Sequence, residues 1–270
     1  MAIVTISRGS FTGGVAVAEA VAARLGAPCV SREVVRDAAS ASGVAELNLQ
    51  ATLEEPPRFW EKTPGLIPAH LNLVRTALLK RAHGGNLVYH GYAGHLLLSG
   101  ISHVLRVRII ESEESRVEAA MRDKDMTHKQ ATQFVKTLDG QLIKWTRFLY
   151  GVDWQDPSLY DVVLSLDRLS ASGAAETIAA MTELRAFQPT EASLKAFDDL
   201  LLSSEVWSAL TADPRTHSAN VRVAADGGAV FITGSADNAK ALDAVAEVAG
   251  RVPGVARVES EVGVGGHWQW

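Results

Sequence analysis

The chain has 270 residues, 47% hydrophobic and 21% charged, with a formal net charge of −5 and a pI of about 5.9. That is enough length and apolar content for one large domain and one small one, and the acidic balance gives no electrostatic reason to expect nucleic-acid binding. The single cysteine, Cys29, excludes an internal disulfide and a cysteine-rich metal site. The opening residues lack the basic segment and long apolar run of a signal peptide. No stretch reaches the ~20 apolar residues of a membrane span, so a cytoplasmic protein is expected.

In chain order, Ile3, Val4 and Ile6 predict a strand that passes through a glycine-containing turn into an alanine-rich helix over 15–25. Pro28-Cys29-Val30 reads as a short second strand, followed by a helix over 32–42. Residues 52–68, with Pro56, Pro57, Pro64 and Pro68 around Trp60, read as an irregular loop or a broken helix. A helix over 70–83 stops at Gly84-Gly85. Buried strands are expected at 87–91, at 104–110, where Arg106 and Arg108 alternate with apolar residues, and at 161–166. Between the last two lie a polar helix over 113–138 and another over 140–150. Strands alternating with helices predict an α/β fold, a parallel sheet with flanking helices.

Gln188-Pro189-Thr190 interrupts the helical pattern that follows. Beyond it come a helix over 194–210, strands over 220–224 and 229–233 joined by Asp226-Gly227-Gly228, a helix over 238–250 and a strand over 256–262. This αββαβ order is a small α+β unit, and the domains are set at 1–187 and 188–270. Charge divides there too. Residues 190–270 hold 11 acidic and 6 basic side chains, while the rest is balanced at 20 and 20.

Residues 8–15 are built like a phosphate-binding loop. A strand, a turn and a helix N-terminus present free N–H groups and the positive end of a dipole to an anion. Against the pattern G-x-x-x-x-G-K-[ST], with Gly13 as the second glycine, Arg8 stands at the first, Gly14 at the lysine and Val15 where a hydroxyl belongs. The candidate phosphate-binding residues are Arg8, Gly9, Ser10, Thr12, Gly13 and Gly14 at the loop, with Arg32, Arg116, Arg122 and Arg147 elsewhere. Arg8 either meets an anion or braces the turn through an ion pair. Arg116 and Arg122 either clamp phosphates or belong to a solvated helix, since Glu118, Asp123 and Asp125 are interleaved. His83, His90, His95 and His103 lie close in sequence but form no i, i+4 pair with an acidic partner, so no metal site is expected.

The N-terminal segment resembles the cytidylate kinase-like family. The resemblance rests on Thr5-Ile6-Ser7-Arg8, Gly13-Gly14, Ser31-Arg32-Glu33, Gly91 with His95, the Arg106/Arg108 strand, Glu113 to Arg116, and Asp156-Pro157-Ser158-Leu159-Tyr160-Asp161. It implies a P-loop fold, a monophosphate-binding insertion near 32–80, a lid near 116–150, a nucleotide ligand, and ATP with Mg as cofactor. This chain departs from the family pattern at Val15 and at Gly91-Tyr92, where arginines are usual, and at Ser31, where aspartate is usual. A loop without its lysine is itself common in the family. Phosphoryl transfer depends on positioning and on neutralising charge, and each lost group costs ~10²–10³ in rate. The expected function is therefore a degenerate nucleotide-binding pseudo-kinase. An active nucleoside monophosphate kinase with displaced cations, and a purely structural or assembly protein, remain as alternatives.

The C-terminal segment resembles a BON domain through Val206-Trp207-Ser208-Ala209-Leu210, Asp213-Pro214, Val221-Arg222-Val223, Val230-Phe231-Ile232-Thr233-Gly234 and Val252-Pro253-Gly254-Val255. The resemblance implies phospholipid or ligand binding, or protein contacts. The acidic balance of this segment argues against an anionic membrane surface, so a protein partner or self-association is expected. The terminal His267-Trp268-Gln269-Trp270 is expected to dock on a surface.

Overall fold

The computed structural model describes residues 2–54, 66–91 and 93–265; Trp60 and the prolines before it, Pro64, Tyr92 and the 267–270 tail lie outside the described residues. In order, the elements are β1 (Ile3–Arg8), α1 (Gly14–Leu25), β2 (Cys29–Val30), α2 (Glu33–Ser42), α3 (Glu46–Glu54), α4 (Leu66–Ala82), β3 (Leu87–His90), α5 (Gly94–Leu97), β4 (Val104–Ile110), α6 (Glu113–Lys124), α7 (His128–Tyr150), β5 (Val162–Ser165), α8 (Ala171–Thr182), α9 (Glu191–Ala212), β6 (Asn220–Asp226), β7 (Ala229–Ala236), α10 (Ala239–Gly250) and β8 (Arg257–Val264). By internal contacts they fall into two compact units, one of residues 2–33, 50–54 and 81–190, the other of 34–49, 66–80 and 191–265.

The first unit is an α/β fold with a parallel sheet in the order β2-β3-β1-β4-β5. Side chains alternate along each strand, and the register aligns Val4 with Val88 and Leu105, and Ile6 with Val107. These residues and Ile109 form one face, packed on Val17, Ala18 and Val21 of α1 and Ala174, Ala175 and Ile178 of α8. The alternate positions give a different face. Thr5 is paired with Arg106 and Ser7 with Arg108, so polar side chains stand where a buried parallel sheet usually carries apolar ones.

Two helix boundaries differ from the sequence expectation. The polar helix was expected to break at Gly140, yet α7 runs through it; the break is at 125–127. There Asp125 takes φ 52 as the C-cap of α6, and Thr127 caps α7 in a reciprocal box with Gln130. Satisfying the otherwise free helix-end N–H groups outweighs the ~1 kcal/mol cost of one interior glycine. Within 52–68, the described ends are helical, belonging to α3 and α4.

The second unit holds a three-stranded sheet in the order β6-β7-β8, antiparallel then parallel. Gly227 and Gly228, at φ 55 and 87, make the hairpin turn. Its core joins Val206 and Leu210 of α9, Val221, Val230 and Ile232 of the sheet, and Val245 and Val248 of α10. Residues 66–80 of helix α4 belong to the same unit. Asn72 donates from Nδ2 to the Ser204 carbonyl at 2.9 Å and to Ser208 Oγ at 3.0 Å, Thr76 Oγ1 lies 3.2 Å from Ser208 Oγ, and Lys80 pairs with Glu205 at 2.8 Å. Grouping by contact thus draws 34–49 and 66–80 to the C-terminal segment, whereas the sequence boundary near 188 assigns them to the N-terminal one.

Candidate functional site

The loop between β1 and α1 is held chiefly by side chains from elsewhere in the chain. Because β4 runs parallel beside β1, with Ile109 opposite Arg8, the residue just past β4 stands level with the loop. That residue is Glu111, and its Oε2 accepts a hydrogen bond from the Gly13 N–H at 3.2 Å. A carboxylate thus stands at the helix N-terminus where such loops receive an anion. Thr12 Oγ1 donates to the Gly9 carbonyl at 3.1 Å. Arg116, from α6, donates through Nε to the Ser10 carbonyl at 2.9 Å and forks onto both oxygens of Asp139 at 2.9 and 2.7 Å. Phe11 has φ 59, and its ring lies 5.8 Å from that of Phe134 against the buried Val117, Ala120, Ala131 and Val135 of α6 and α7. The left-handed backbone costs about 1–2 kcal/mol, and ring burial of about 2 kcal/mol offsets it.

Gly14 is small for a local reason. A β-carbon there would come 2.7 Å from Arg8 Cδ and 2.8 Å from its Cβ, so the Arg8 stem lies over the position where a loop lysine would start. His90, level with Ile6 in the neighbouring strand, is held below its ordinary pKa by burial first and by the charge of Arg8 second.

A second constellation lies on the polar face of the sheet. Ser7 Oγ and His95 Nδ1 are 2.8 Å apart, and His95 is only 5% exposed. Burial, then the charges of Arg106 and Arg108, pushes His95 down to about 4, so the ring is neutral at pH 7. The Tyr160 ring sits 4.6 Å from that of His95, and its hydroxyl donates to the Trp154 carbonyl at 2.8 Å. Burial raises the Tyr160 pKa to about 12. Arg106 forks onto Asp161, with contacts of 3.1 and 2.6 Å. Arg108 lies over the Trp154 ring at 4.6 Å and donates to the Gln155 carbonyl at 2.5 Å.

Residues 3–168 match the model of the cytidylate kinase-like family, and residues 198–266 match that of the BON domain. The chain belongs to the cytidylate kinase-like family. Its fold is similar to that of a protein from Eubacterium ventriosum, at 17% identity and a TM-score of 0.53 over 67% of this chain and 98% of that one. Shikimate kinase from Bacteroides thetaiotaomicron (10% identity, TM-score 0.43, 68% and 99% coverage) and a gluconokinase from Sinorhizobium meliloti (13%, 0.41, 68% and 93%) are more distantly similar. No curated protein matches the chain.

Within this cytidylate kinase-like fold, the structure gathers Arg8, Gly9, Ser10, Thr12, Gly13, Gly14 and Arg116 at the loop. Arg122 stays on the solvated side of α6, 75% exposed and 3.9 Å from its neighbour Asp123. Arg147 pairs with Asp153 at 2.7 Å, and Arg32 is exposed just before α2. The loop does not fit an ATP–Mg complex in the usual way. It has no ammonium at Gly14, no metal-holding hydroxyl at Val15, and the Glu111 carboxylate on the Gly13 amide. The sequence reading missed Glu111, Asp139 and Phe11, which carry no local motif. It noted the alternating Arg106 and Arg108, which together with Thr5 and Ser7 signal a polar sheet face.

Proposed function

We propose that the N-terminal segment, 1–187, is a degenerate kinase-like domain that transfers no phosphoryl group and keeps the P-loop frame as a scaffold or regulatory element. One observation carries this reading: Glu111 already accepts from the Gly13 N–H, so an incoming phosphate meets a like charge and must displace it. The bidentate Arg116–Asp139 pair supports the reading, since the best-placed lid cation is already neutralised. The C-terminal segment, 188–270, is the BON module and acts through protein contacts or self-association in the cytoplasm. Its net charge of −5 disfavours an anionic bilayer, and no helix among the described residues is long and apolar enough to cross a membrane.

A coupled assay of the whole chain with ATP and CMP, or other nucleoside monophosphates, tests the first part. We expect no turnover above background, and turnover with any acceptor would overturn the reading. The alternative of an active kinase draws on Arg8, whose stem overlies Gly14 and whose charge could stand in for the missing lysine. It requires activity that Arg8→Ala abolishes.

A further inference from the structure

We infer that Arg108, on the sheet face opposite α1, is the anion-recognising group of a second site, fitted to phosphate or a phosphomonoester. Arg106 forks onto Asp161, Arg116 onto Asp139, and Arg215 onto Asp213 with a further contact to Glu247, while Arg147 contacts Asp153. Among the described residues, no carboxylate pairs with Arg108. It is half-buried, donates once to the Gln155 carbonyl, and its buried Nε makes no hydrogen bond. The carboxylates whose fields reach it, Asp153 and Asp139, are already held by Arg147 and Arg116. A guanidinium taken partly out of water without a counter-ion is costly, and burial accordingly lowers the Arg108 pKa.

The surroundings specify the missing partner. The Arg108 guanidinium carbon lies 4.6 Å from the centre of the Trp154 ring and 5.8 Å from that of Tyr160, cation–π contacts that hold the charge against two aromatic faces. A guanidinium carries its N–H donors as a planar fork, which can take two oxygens of a tetrahedral oxyanion. Tyr160 also touches His95. Ser7 Oγ and His95 Nδ1 share a hydrogen bond, and the buried His95 Nε2 has no hydrogen-bond partner among the described residues. Trp154 Nε1 is buried and has no partner among the described residues either. Arg108 Nε and Trp154 Nε1 are donors only, and an unpaired guanidinium beside a second N–H repels a metal cation and suits an acceptor-only ligand.

The test titrates the full-length protein with inorganic phosphate and, separately, with phenyl phosphate, followed by calorimetry and by the indole and imidazole ¹⁵N signals. Saturable binding is expected for at least one ligand, with the Trp154 and His95 signals shifting. Arg108→Lys, which keeps the charge but loses the fork, should weaken binding at least about tenfold, and Arg108→Met should abolish it. Glu111→Gln should leave it unchanged. Preference for phenyl phosphate would mark the source as a phosphomonoester, and equal affinity would mark free phosphate. No saturable binding of either ligand up to about 10 mM, the weak end of specific recognition, would overturn the inference. Binding that follows Glu111→Gln and ignores Arg108→Lys would overturn it equally, by placing the anion at the loop. None of these outcomes depends on whether the loop transfers phosphate.

Discussion

The loop at 9–13 and the polar face around Arg108 are built on the same two strands, and they differ in how their charges are satisfied. At the loop the protein supplies both sides: Glu111 for the Gly13 amide, Asp139 for Arg116, and the lid helices for the Phe11 ring. On the face, Arg108 and Trp154 each keep a buried N–H with no acceptor among the described residues, and His95 Nε2 has no partner there either. A region that neutralises itself gains stability and loses affinity for ligands, because any ligand must first break internal contacts. A region left one acceptor short keeps its binding free energy available. On this comparison, the segment that looks most like a phosphate site in sequence is the less receptive of the two.

The largest effect expected concerns the polar face and pH. The folded pKa of His95, about 4, lies below the ordinary 6.5. The unfolded chain therefore binds more protons between these values, and stability falls as pH drops from 6.5 toward 4. Urea titrations at pH 7 and pH 4.5 should show a loss from this group of about 2 kcal/mol that His95→Gln removes. An unchanged pH slope in the variant would show that the imidazole is not the group left short.

Phe11→Ala, at the loop, should cost a similar amount, about 2 kcal/mol, because the ring leaves the lid while the backbone stays at positive φ. Phe11→Gly should cost about 1 kcal/mol less than Ala, since glycine takes that conformation freely. Thermal unfolding of the two variants checks the order, and the reverse order would mean that the loop is not anchored by this ring. Arg116→Gln should cost about 1 kcal/mol, as its pair with Asp139 is partly exposed. Amide exchange at 9–13 should accelerate in that variant and stay slow in Arg122→Gln, whose side chain is solvated.

Much of the fold was legible because it is local. Alternation in 104–110 marked β4, and Asp226-Gly227-Gly228 marked the hairpin. The capping signature Thr127-x-x-Gln130 was also present, yet Gly140 looked like the stronger break. The site was less legible because its partners come from far along the chain. Glu111 lies 98 positions from Gly13, and the two meet only once β1 and β4 are adjacent in the sheet. Strand order decides this, and no motif around the loop encodes it. The polar sheet face shows in sequence as a period-two pattern, while the missing acceptor at Arg108 shows only when every carboxylate nearby is traced to its partner.

The hydrogen bonds from α4 to α9 also set a timetable. Asn72 leaves the ribosome 132 residues before Ser204, whose carbonyl it needs. At ~5–20 residues per second that is a delay on the order of 10 s. Throughout it, a helix made early must shield its polar seam with water or a chaperone, and the C-terminal segment closes a surface that the nascent chain has long displayed.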